Sequence, residues 1–284
     1  MSKNLTATWR ELLAEAEERL SSSADARRIV EQASGCEGAA YVEVLEQPVS
    51  VNGKCHFDDM LDRRAAGEPL QYVLGRWGFR RLDLYLDRRV LIPRPETEMV
   101  VQVALAEVPR LPRKPRLVDL GTGSGAIALS LAVEVPGADI WATDVSGDAL
   151  EVARANLAGA GSLAASHVRL LQGRWFDALP TTIRGGVHMV VSNPPYVADD
   201  EELPVEVDAW EPPTALRAGP TGLEQVEEIL KEATAWLSRP AVVVVEIAPH
   251  QADAASRMAI AAGYDEVEVR RDLSGRERMV VARF

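Results

Sequence analysis

The chain has 284 residues, 47% of them hydrophobic, and a formal net charge of −12. That length holds one large domain, or a large and a small one, and the apolar share excludes a disordered chain. The acidic balance argues against broad, non-specific binding to nucleic acid or anionic membranes, because phosphate contacts need clustered Lys and Arg; a local basic patch stays open.

Residues 1 to 67 read as helical. Trp9, Leu12, Leu13, Ala16 and Leu20 fall at helical spacing, with Glu and Arg between them. "SSSADARRIVEQASG" gives a Ser/Asp start, a short helix and a stop at Gly35, and a third helix is predicted over Phe57 to Ala66. The segment 68–98 changes character. "QYVLGRWGFRRLDLYLDRRVLIP" predicts a β-hairpin linker with its turn near Gly75–Gly78. "IPRPETE" then opens a helix through Met99, Val103 and Leu105.

From Leu117 the pattern alternates strand and helix. "RLVDL", "DIWATD", "HVRLLQG", "VHMVVSN" and "AVVVVEI" are strands, and "EVEVRRD" and "RMVVARF" are two closing strands with a short loop between them. Helices are predicted over Ser124 to Val133, Asp148 to Leu157, Glu224 to Leu237 and Gln251 to Ala261. Repeated βα units imply a parallel sheet covered on both faces. Seven strands ending in a hairpin differ from most dinucleotide-binding sheets, which stay parallel throughout. The domain reading is therefore 1–67 helical, 68–98 linker and 99–284 α/β. Neither part is basic: residues 1–80 carry 10 basic and 13 acidic side chains.

Cys36 and Cys55 make no disulfide framework and no zinc spacing. His56, His167, His188 and His250 form no ligand set, so no metal is expected. The N-terminal stretch lacks the apolar core of a signal peptide. The longest apolar run, Ala241 to Val245, falls far short of the roughly 18 residues that span a bilayer. A cytoplasmic protein with no membrane partner is expected.

"VDLGTGSGAIALS" places Gly121, Gly123 and Gly125 directly after the first strand of the α/β region. Glycine lets the backbone turn sharply and approach a ligand, and the following helix offers free N–H groups. Asp144 ends the next strand, 23 positions after Gly121, near the spacing at which an acid meets a ribose diol. A nucleoside-containing cofactor fits. The spacing G-x-G-x-G does not by itself separate NAD from S-adenosylmethionine. A tight turn with close helix packing is the rival reading of the glycines, and a helix cap or loop acid that of Asp144; a strand before, a helix after and an acid at the next strand end favour the cofactor.

Asn193-Pro194-Pro195-Tyr196 follows the fourth strand, at the carboxyl edge of the same sheet. The bland reading is a rigid turn. The chemical one starts from a planar NH2 group, on a glutamine amide or an adenine, which has two donors and a delocalised lone pair. The Asn193 side-chain carbonyl and the Pro194 backbone carbonyl can accept both hydrogens, and Tyr196 offers a flat face. A methyl group held in line on a good neutral leaving group then needs mainly positioning.

At this point the chain resembles the HemK/PrmC family of N5-glutamine methyltransferases that modify class 1 peptide chain release factors. The resemblance covers about Arg63 to Phe284 and rests on "RRAAGEPLQYVLGRWGF", "VLIPRPETE", "VDLGTGSGAIALSLA", "ATDVSGDALEVARANL", "RWFDAL", "VVSNPPYV", "EPPTALRAGPTGLEQ" and "DLSGRERMV". The tetrad alone is shared with adenine N6-methyltransferases; "IPRPETE" and "EPPTAL" are the family-specific pieces. The resemblance implies an α/β fold of class I (Rossmann-like) methyltransferase type. Its sheet would have seven mostly parallel strands, and the small N-terminal helical domain would help hold the release factor. It implies S-adenosylmethionine as methyl donor, with Gly121, Thr122, Gly123, Ser124 and Gly125 facing its methionine and ribose, Asp144 on the ribose hydroxyls and Trp175 near the adenine. Asn193 would touch cofactor and substrate, and Pro194, Pro195 and Tyr196 the target amide. Asn193, Pro194 and Tyr196 are the catalytic candidates. Arg94, Glu96 and Thr97 would line the pocket, although a helix start with Pro and acids in its first turn explains them too. Core packing is the rival reading of Trp175.

The first 60 residues resemble the family less, and "LRAGPTGLEQ" is a looser version of its glycine-containing loop. The main rival is an adenine N6-methyltransferase acting on DNA or RNA, which normally adds a basic recognition region that this chain lacks. An NAD-linked oxidoreductase explains the glycine loop but not the tetrad. A non-enzymatic binding role predicts cofactor binding without turnover. No direct nucleic-acid partner is expected, and the oligomeric state is open, with a monomer the default.

Overall fold

The computed structural model describes residues 7–161 and 166–284. The chain divides into two compact units, the first ending at Arg76 and the second running Trp77–Phe284.

The first unit is helical. Helix α1 (Trp9–Leu20) starts at a capping box in which Thr8 and Glu11 satisfy each other's backbone N–H, and it buries Trp9, Leu12 and Ala16. Helix α2 (Ser23–Ser34) is capped by Ser22 and stopped by Gly35, whose φ of 69° is the left-handed region glycine enters freely. A short α3 (Ala39–Val44) follows, then α4 (Val51–Ala65) and α5 (Leu70–Leu74). The core joins Ile29 and Val30 of α2 to Phe57, Met60 and Leu61 of α4. Two expectations change here. The helix predicted from Phe57 starts at Val51, because the Ser50 hydroxyl accepts the Gly53 N–H and caps a turn that carries few apolar residues. "QYVL", read as strand, is α5, with Gly75 as its left-handed cap.

The second unit opens on a two-stranded ribbon, β1 (Arg76–Phe79) and β2 (Leu82–Tyr85). Its turn lies at Arg80, not near Gly75–Gly78. Arg80 takes a φ of 52°, and its guanidinium and amide are held by Glu134 and Glu98, which stabilise a conformation a non-glycine residue seldom adopts. Helix α6 (Pro95–Glu107) follows. Its buried stripe is Thr97, Val100, Val101 and Ala104, while Met99, Val103 and Leu105 are half-buried.

The central sheet has seven strands: β3 (Arg116–Leu120), β4 (Asp139–Asp144), β5 (Val168–Gln172), β6 (Val187–Ser192), β9 (Leu237–Glu246), β10 (Glu266–Arg271) and β11 (Glu277–Arg283). A minor pair, β7 (Val197–Ala198) and β8 (Arg217–Gly219), lies between β6 and β9 in sequence. The order across the main sheet is β10-β11-β9-β6-β3-β4-β5. β11 is antiparallel to both neighbours and the other pairings are parallel. This is the class I methyltransferase sheet, in which the strand order switches sides between β3 and β6 and opens a crevice at their carboxyl ends.

Helices α7 (Ala126–Glu134) and α8 (Gly147–Gly159) follow β3 and β4, and α6, α7 and α8 pack in a row. On the other face α10 (Glu224–Ala233) packs with α11 (Ala252–Ala261); a short α9 (Val205–Trp210) precedes them. Val118 and Leu120 of β3, Val243 and Val245 of β9, and Val226, Ile229 and Leu230 of α10 share one core cluster. Leu237, expected to end α10, starts β9. A strand with an unbroken buried run, Val242 to Val245, is what a sheet covered on both faces requires. No described helix is long and apolar enough to cross a membrane.

Candidate active site

The glycine loop is built by hydrogen bonds to β4. The N–H groups of Gly121 and Thr122 both donate to the Thr143 carbonyl at 2.9 Å, and Gly125 donates to Thr122 at 2.8 Å. Gly121, Gly123 and Gly125 all have positive φ. At Gly121 a Cβ would sit 3.2 Å from the Trp175 ring, and at Gly125 one would sit 3.1 Å from Leu129, so these two positions need glycine for space as well as for angle. Asn156 braces the loop from α8: its Nδ2 donates to the Ser124 carbonyl at 2.8 Å and to Tyr85 at 3.0 Å.

Beneath the loop lies Asp119, fully buried. Its Oδ2 accepts from the Thr122 hydroxyl at 2.6 Å and the Ala128 N–H at 3.1 Å, and its Oδ1 has no partner. Burial pushes this carboxyl up to about 7. Asp144 accepts from the Gly123 N–H at 2.8 Å and the Ser146 N–H at 2.9 Å. Burial raises it above the ordinary carboxylate range and those two amides oppose the rise. Two backbone donors fix the carboxylate and leave it lone pairs for hydroxyl donors.

A cavity of about 380 Å³ opens at this edge of the sheet. Of the residues singled out in the sequence, Gly121, Gly123, Asp144, Trp175, Asn193 and Pro195 line it together. Thr122, Ser124, Gly125, Pro194 and Tyr196 are not among its walls. Thr122 and Ser124 are buried within the loop, where Thr122 bonds Asp119 and Ser124 bonds Asn156. Trp175 has a φ of 42°; its carbonyl accepts from the Thr143 hydroxyl, and its ring both lines the cavity and joins the core. The core-packing reading of that residue therefore holds, and the ring also faces the cavity.

The tetrad leaves β6 just after Ser192, whose hydroxyl donates to the Leu120 carbonyl at 2.7 Å and ties the two strand ends. Asn193 Nδ2 donates to Thr97 Oγ1 at 3.1 Å, and Thr97 Oγ1 donates to Glu246 Oε2 at 2.9 Å. Burial, with the Glu246 charge nearby, lifts the Tyr196 phenol above its usual range. The Tyr196 carbonyl accepts from Gln251 Nε2 at 2.9 Å, and that nitrogen also reaches the Gly222 carbonyl at 3.0 Å.

Arg94, Glu96 and Thr97, expected on the pocket wall, are instead the start of α6. The wall beside them is Arg89, Val90 and Leu91. Pro212, Thr214 and Ala215 of "EPPTAL" also line the cavity, as does Arg217. Arg217 donates to the carbonyls of Ala198, Asp199 and Glu201 and so holds the chain that leaves the tetrad. Sequence reasoning assigned no role to Glu246, Gln251 or Asn156. The available signal was polarity inside apolar surroundings: a Glu closing a run of four valines, and polar side chains on helix faces that bury alanines.

The chain matches two families, the PrmC N-terminal domain over residues 5–75 and the Methyltransferase small domain over residues 99–208. It is 36% identical to the release factor glutamine methyltransferase of Deinococcus radiodurans over 96% of this chain and 98% of that one. Identity to the enzyme of that name from Escherichia coli is 35%, over 97% of each chain. Among solved structures the hMettl16 catalytic domain, in complex with MAT2A 3′UTR hairpin 6, superposes with a TM-score of 0.57 at 17% identity, over 80% of this chain and 81% of that one. A methyltransferase from Pyrococcus furiosus superposes with a TM-score of 0.51 at 18% identity, over 71% of this chain and 88% of that one. These structural likenesses carry the fold. The sequence relatives carry more, and on them the chain belongs to the release factor glutamine methyltransferase family.

Proposed function

We propose that this protein transfers a methyl group from S-adenosylmethionine to the side-chain amide nitrogen of the glutamine in the Gly-Gly-Gln motif of class 1 peptide chain release factors. The observation that carries the reading is one cavity that gathers Asp144, the open faces of Gly121 and Gly123, the Trp175 ring and Asn193. The donor set fits the cofactor: a fixed carboxylate for ribose hydroxyls, a glycine backbone that bars no approach, and an aromatic plane. Its volume is within the usual range for a small-molecule site. In this reading Asp144, Gly121, Gly123 and Trp175 hold the cofactor, with Thr122, Ser124 and Gly125 shaping the loop.

When bound, S-adenosylmethionine supplies a methyl group on a sulfonium sulfur, with a neutral thioether as leaving group. Asn193 Oδ1 and the Pro194 carbonyl accept the two hydrogens of the target NH2 and orient its nitrogen. Proline at 194 and 195 places no competing N–H there. Each such bond is worth about 0.5–1.5 kcal/mol net, and its larger effect is alignment. On accepting the methyl group in exchange for the sulfonium's bond to it, the target nitrogen would give up one proton to water. No charged base is needed beforehand. The N-terminal helical unit serves to hold the release factor, a role that the PrmC N-terminal match at residues 5–75 supports.

An adenine target shares Asn193 to Tyr196 and is disfavoured by the relatives' names and by the acidic chain. The test is incubation with methyl-labelled cofactor and purified release factor, or separately duplex DNA or ribosomal RNA. Label is expected on the release factor, on the glutamine of Gly-Gly-Gln. Label on nucleic acid but not on the release factor overturns the proposal.

A further inference from the structure

We infer that Thr97 and Glu246 are positioning residues that lock the Asn193 side chain with Oδ1, not its NH2, turned to the target nitrogen. The inference rests on the reading of Asn193 as the acceptor for the substrate amide. It concerns what makes that acceptor an acceptor.

The two ends of an asparagine amide have nearly the same shape, so sterics do not choose between its two orientations. Polarity must choose. Thr97 Oγ1 meets two partners, Asn193 Nδ2 at 3.1 Å and Glu246 Oε2 at 2.9 Å. A hydroxyl has a single hydrogen. An ionised carboxylate only accepts, so that hydrogen goes to Glu246, and Thr97 is left with lone pairs alone for Asn193. Only the NH2 end of the amide can then face Thr97. Reversing Asn193 would set a carbonyl oxygen against hydroxyl lone pairs on one side and NH2 against the substrate's NH2 on the other. Both bonds would be lost.

The position of the parts supports the assignment. Glu246 ends β9, the strand next to β6, and Asn193 is the first residue beyond β6. Thr97 comes from the first turn of α6. Thr97 is 3% exposed and Glu246 1% exposed, so water does not compete for the relay. A buried carboxylate needs donors to be tolerated, and the Thr97 hydroxyl supplies one. The groups facing it electrostatically are Arg278 of β11, itself paired with Asp272, and Glu96 of α6; its register partner on β11, Met279, is uncharged. Burial brings Glu246 up to about 7. Once protonated, it can donate to Thr97, which frees the threonine hydrogen for Asn193 Oδ1 and removes the bias. Sequence reasoning placed Thr97 near the pocket without this role, and Glu246 was read only as the end of a buried strand.

The experiment compares the full-length protein with Thr97→Val, Thr97→Ser and Glu246→Gln. Thr97→Val keeps the side-chain shape and removes the hydroxyl. It is expected to lower kcat by about 10–100-fold through misorientation, with release-factor KM and cofactor Kd little changed. Thr97→Ser restores most of the loss, which a packing role for the threonine methyl would not do. Glu246→Gln loses the obligate acceptor, and the rise of kcat with pH through about 7 flattens. A second readout needs no substrate: the Asn193 side-chain NH2 protons, followed by nitrogen-15 NMR, should exchange slowly with solvent in the wild type and in Thr97→Ser, and should shift and exchange faster in Thr97→Val. Wild-type kcat in Thr97→Val, or unchanged Asn193 signals, overturns the inference. A wild-type protein that leaves the release factor unlabelled overturns the functional reading instead, and the NMR comparison still decides the relay.

Discussion

The Arg94 guanidinium pairs with the Glu211 carboxylate, and that carboxylate also accepts the Ile92 N–H at 3.0 Å. Arg94 stands in "IPRPETE" and Glu211 opens "EPPTAL", so two motifs more than a hundred residues apart are halves of one ion pair. The pair joins two walls of the cavity, since Leu91 and Pro212 both line it. Glu211 is almost fully enclosed and Arg94 about one third exposed. Glu211→Ala strands the Ile92 N–H and the cation together and should lower stability by about 1.5–3 kcal/mol. Glu211→Gln, whose carbonyl still accepts from Ile92, should lose less. Urea unfolding of the three proteins measures this, and equal midpoints for wild type and Glu211→Ala would show the pair to be idle.

Much of the second unit was legible because its signals are local. Glycines after an apolar strand, an acid at the next strand end and a run of four valines each follow from backbone rules or burial. The turn at Arg80 was not legible, because what stabilises its positive φ is Glu134 and Glu98, far along the chain. Helix α5 was missed because four apolar residues fit either period. At the site, the places of Asn193 and Asp144 at strand ends beside the cavity were readable, while the hydrogen-bond partners of Thr97, Glu246 and Gln251 come from segments that only the fold brings together.

Asp144 and Asn193 line the same cavity and should fail in different ways. Asp144→Asn places an NH2 where the carboxylate now meets the Gly123 and Ser146 amides. A loss of about 1.5–3 kcal/mol, roughly 10–100-fold in cofactor affinity, is expected by calorimetry. Asn193→Ala should leave that affinity within a few-fold and abolish methyl transfer, with an unchanged circular dichroism spectrum. Near-normal turnover in Asn193→Ala would mean that the amide does not orient the target.

Gly222 is the position at which the tetrad's backbone is most closely fitted. Its φ is +75°, and a Cβ there would lie 2.5 Å from the Tyr196 carbonyl oxygen and 2.8 Å from Gln251 Nε2. Gly222→Ala must therefore push Tyr196 off Gln251. The strain should cost about 1–3 kcal/mol in stability and lower kcat more than cofactor affinity, because Gly222 is not a cavity wall. Gln251→Ala releases the same carbonyl without strain and should reproduce the kinetic defect with a smaller drop in melting temperature. If Gly222→Ala turned over like the wild type, the backbone clamp would have no part in catalysis.

Asp119 and Glu246 make the fold sensitive to pH in an unusual direction. Both carboxyls are pushed up to about 7, Asp119 by burial with Asp144 nearby and Glu246 by burial against Thr97, Tyr196, Arg278 and Glu96. Their ordinary values are 3.8 and 4.5. Between those values and about 7 the folded chain holds protons that the unfolded chain has released. The stability they contribute is complete at the acid end, declines as pH rises, and is gone above about 7. Each group adds a slope of up to about 1.4 kcal/mol per pH unit. The oppositely shifted Asp87, held down to about 2 by Arg89, acts only at lower pH; His188, lowered by burial beside Arg116, acts within the window and makes the fall shallower. Thermal unfolding from pH 5.5 to 8 should therefore show a melting temperature that falls with rising pH and levels off. Asp119→Asn, whose carbonyl can still accept from Thr122 and Ala128, should roughly halve the fall. A melting temperature that rises across this range, or an unaltered slope in Asp119→Asn, would place the proton uptake elsewhere.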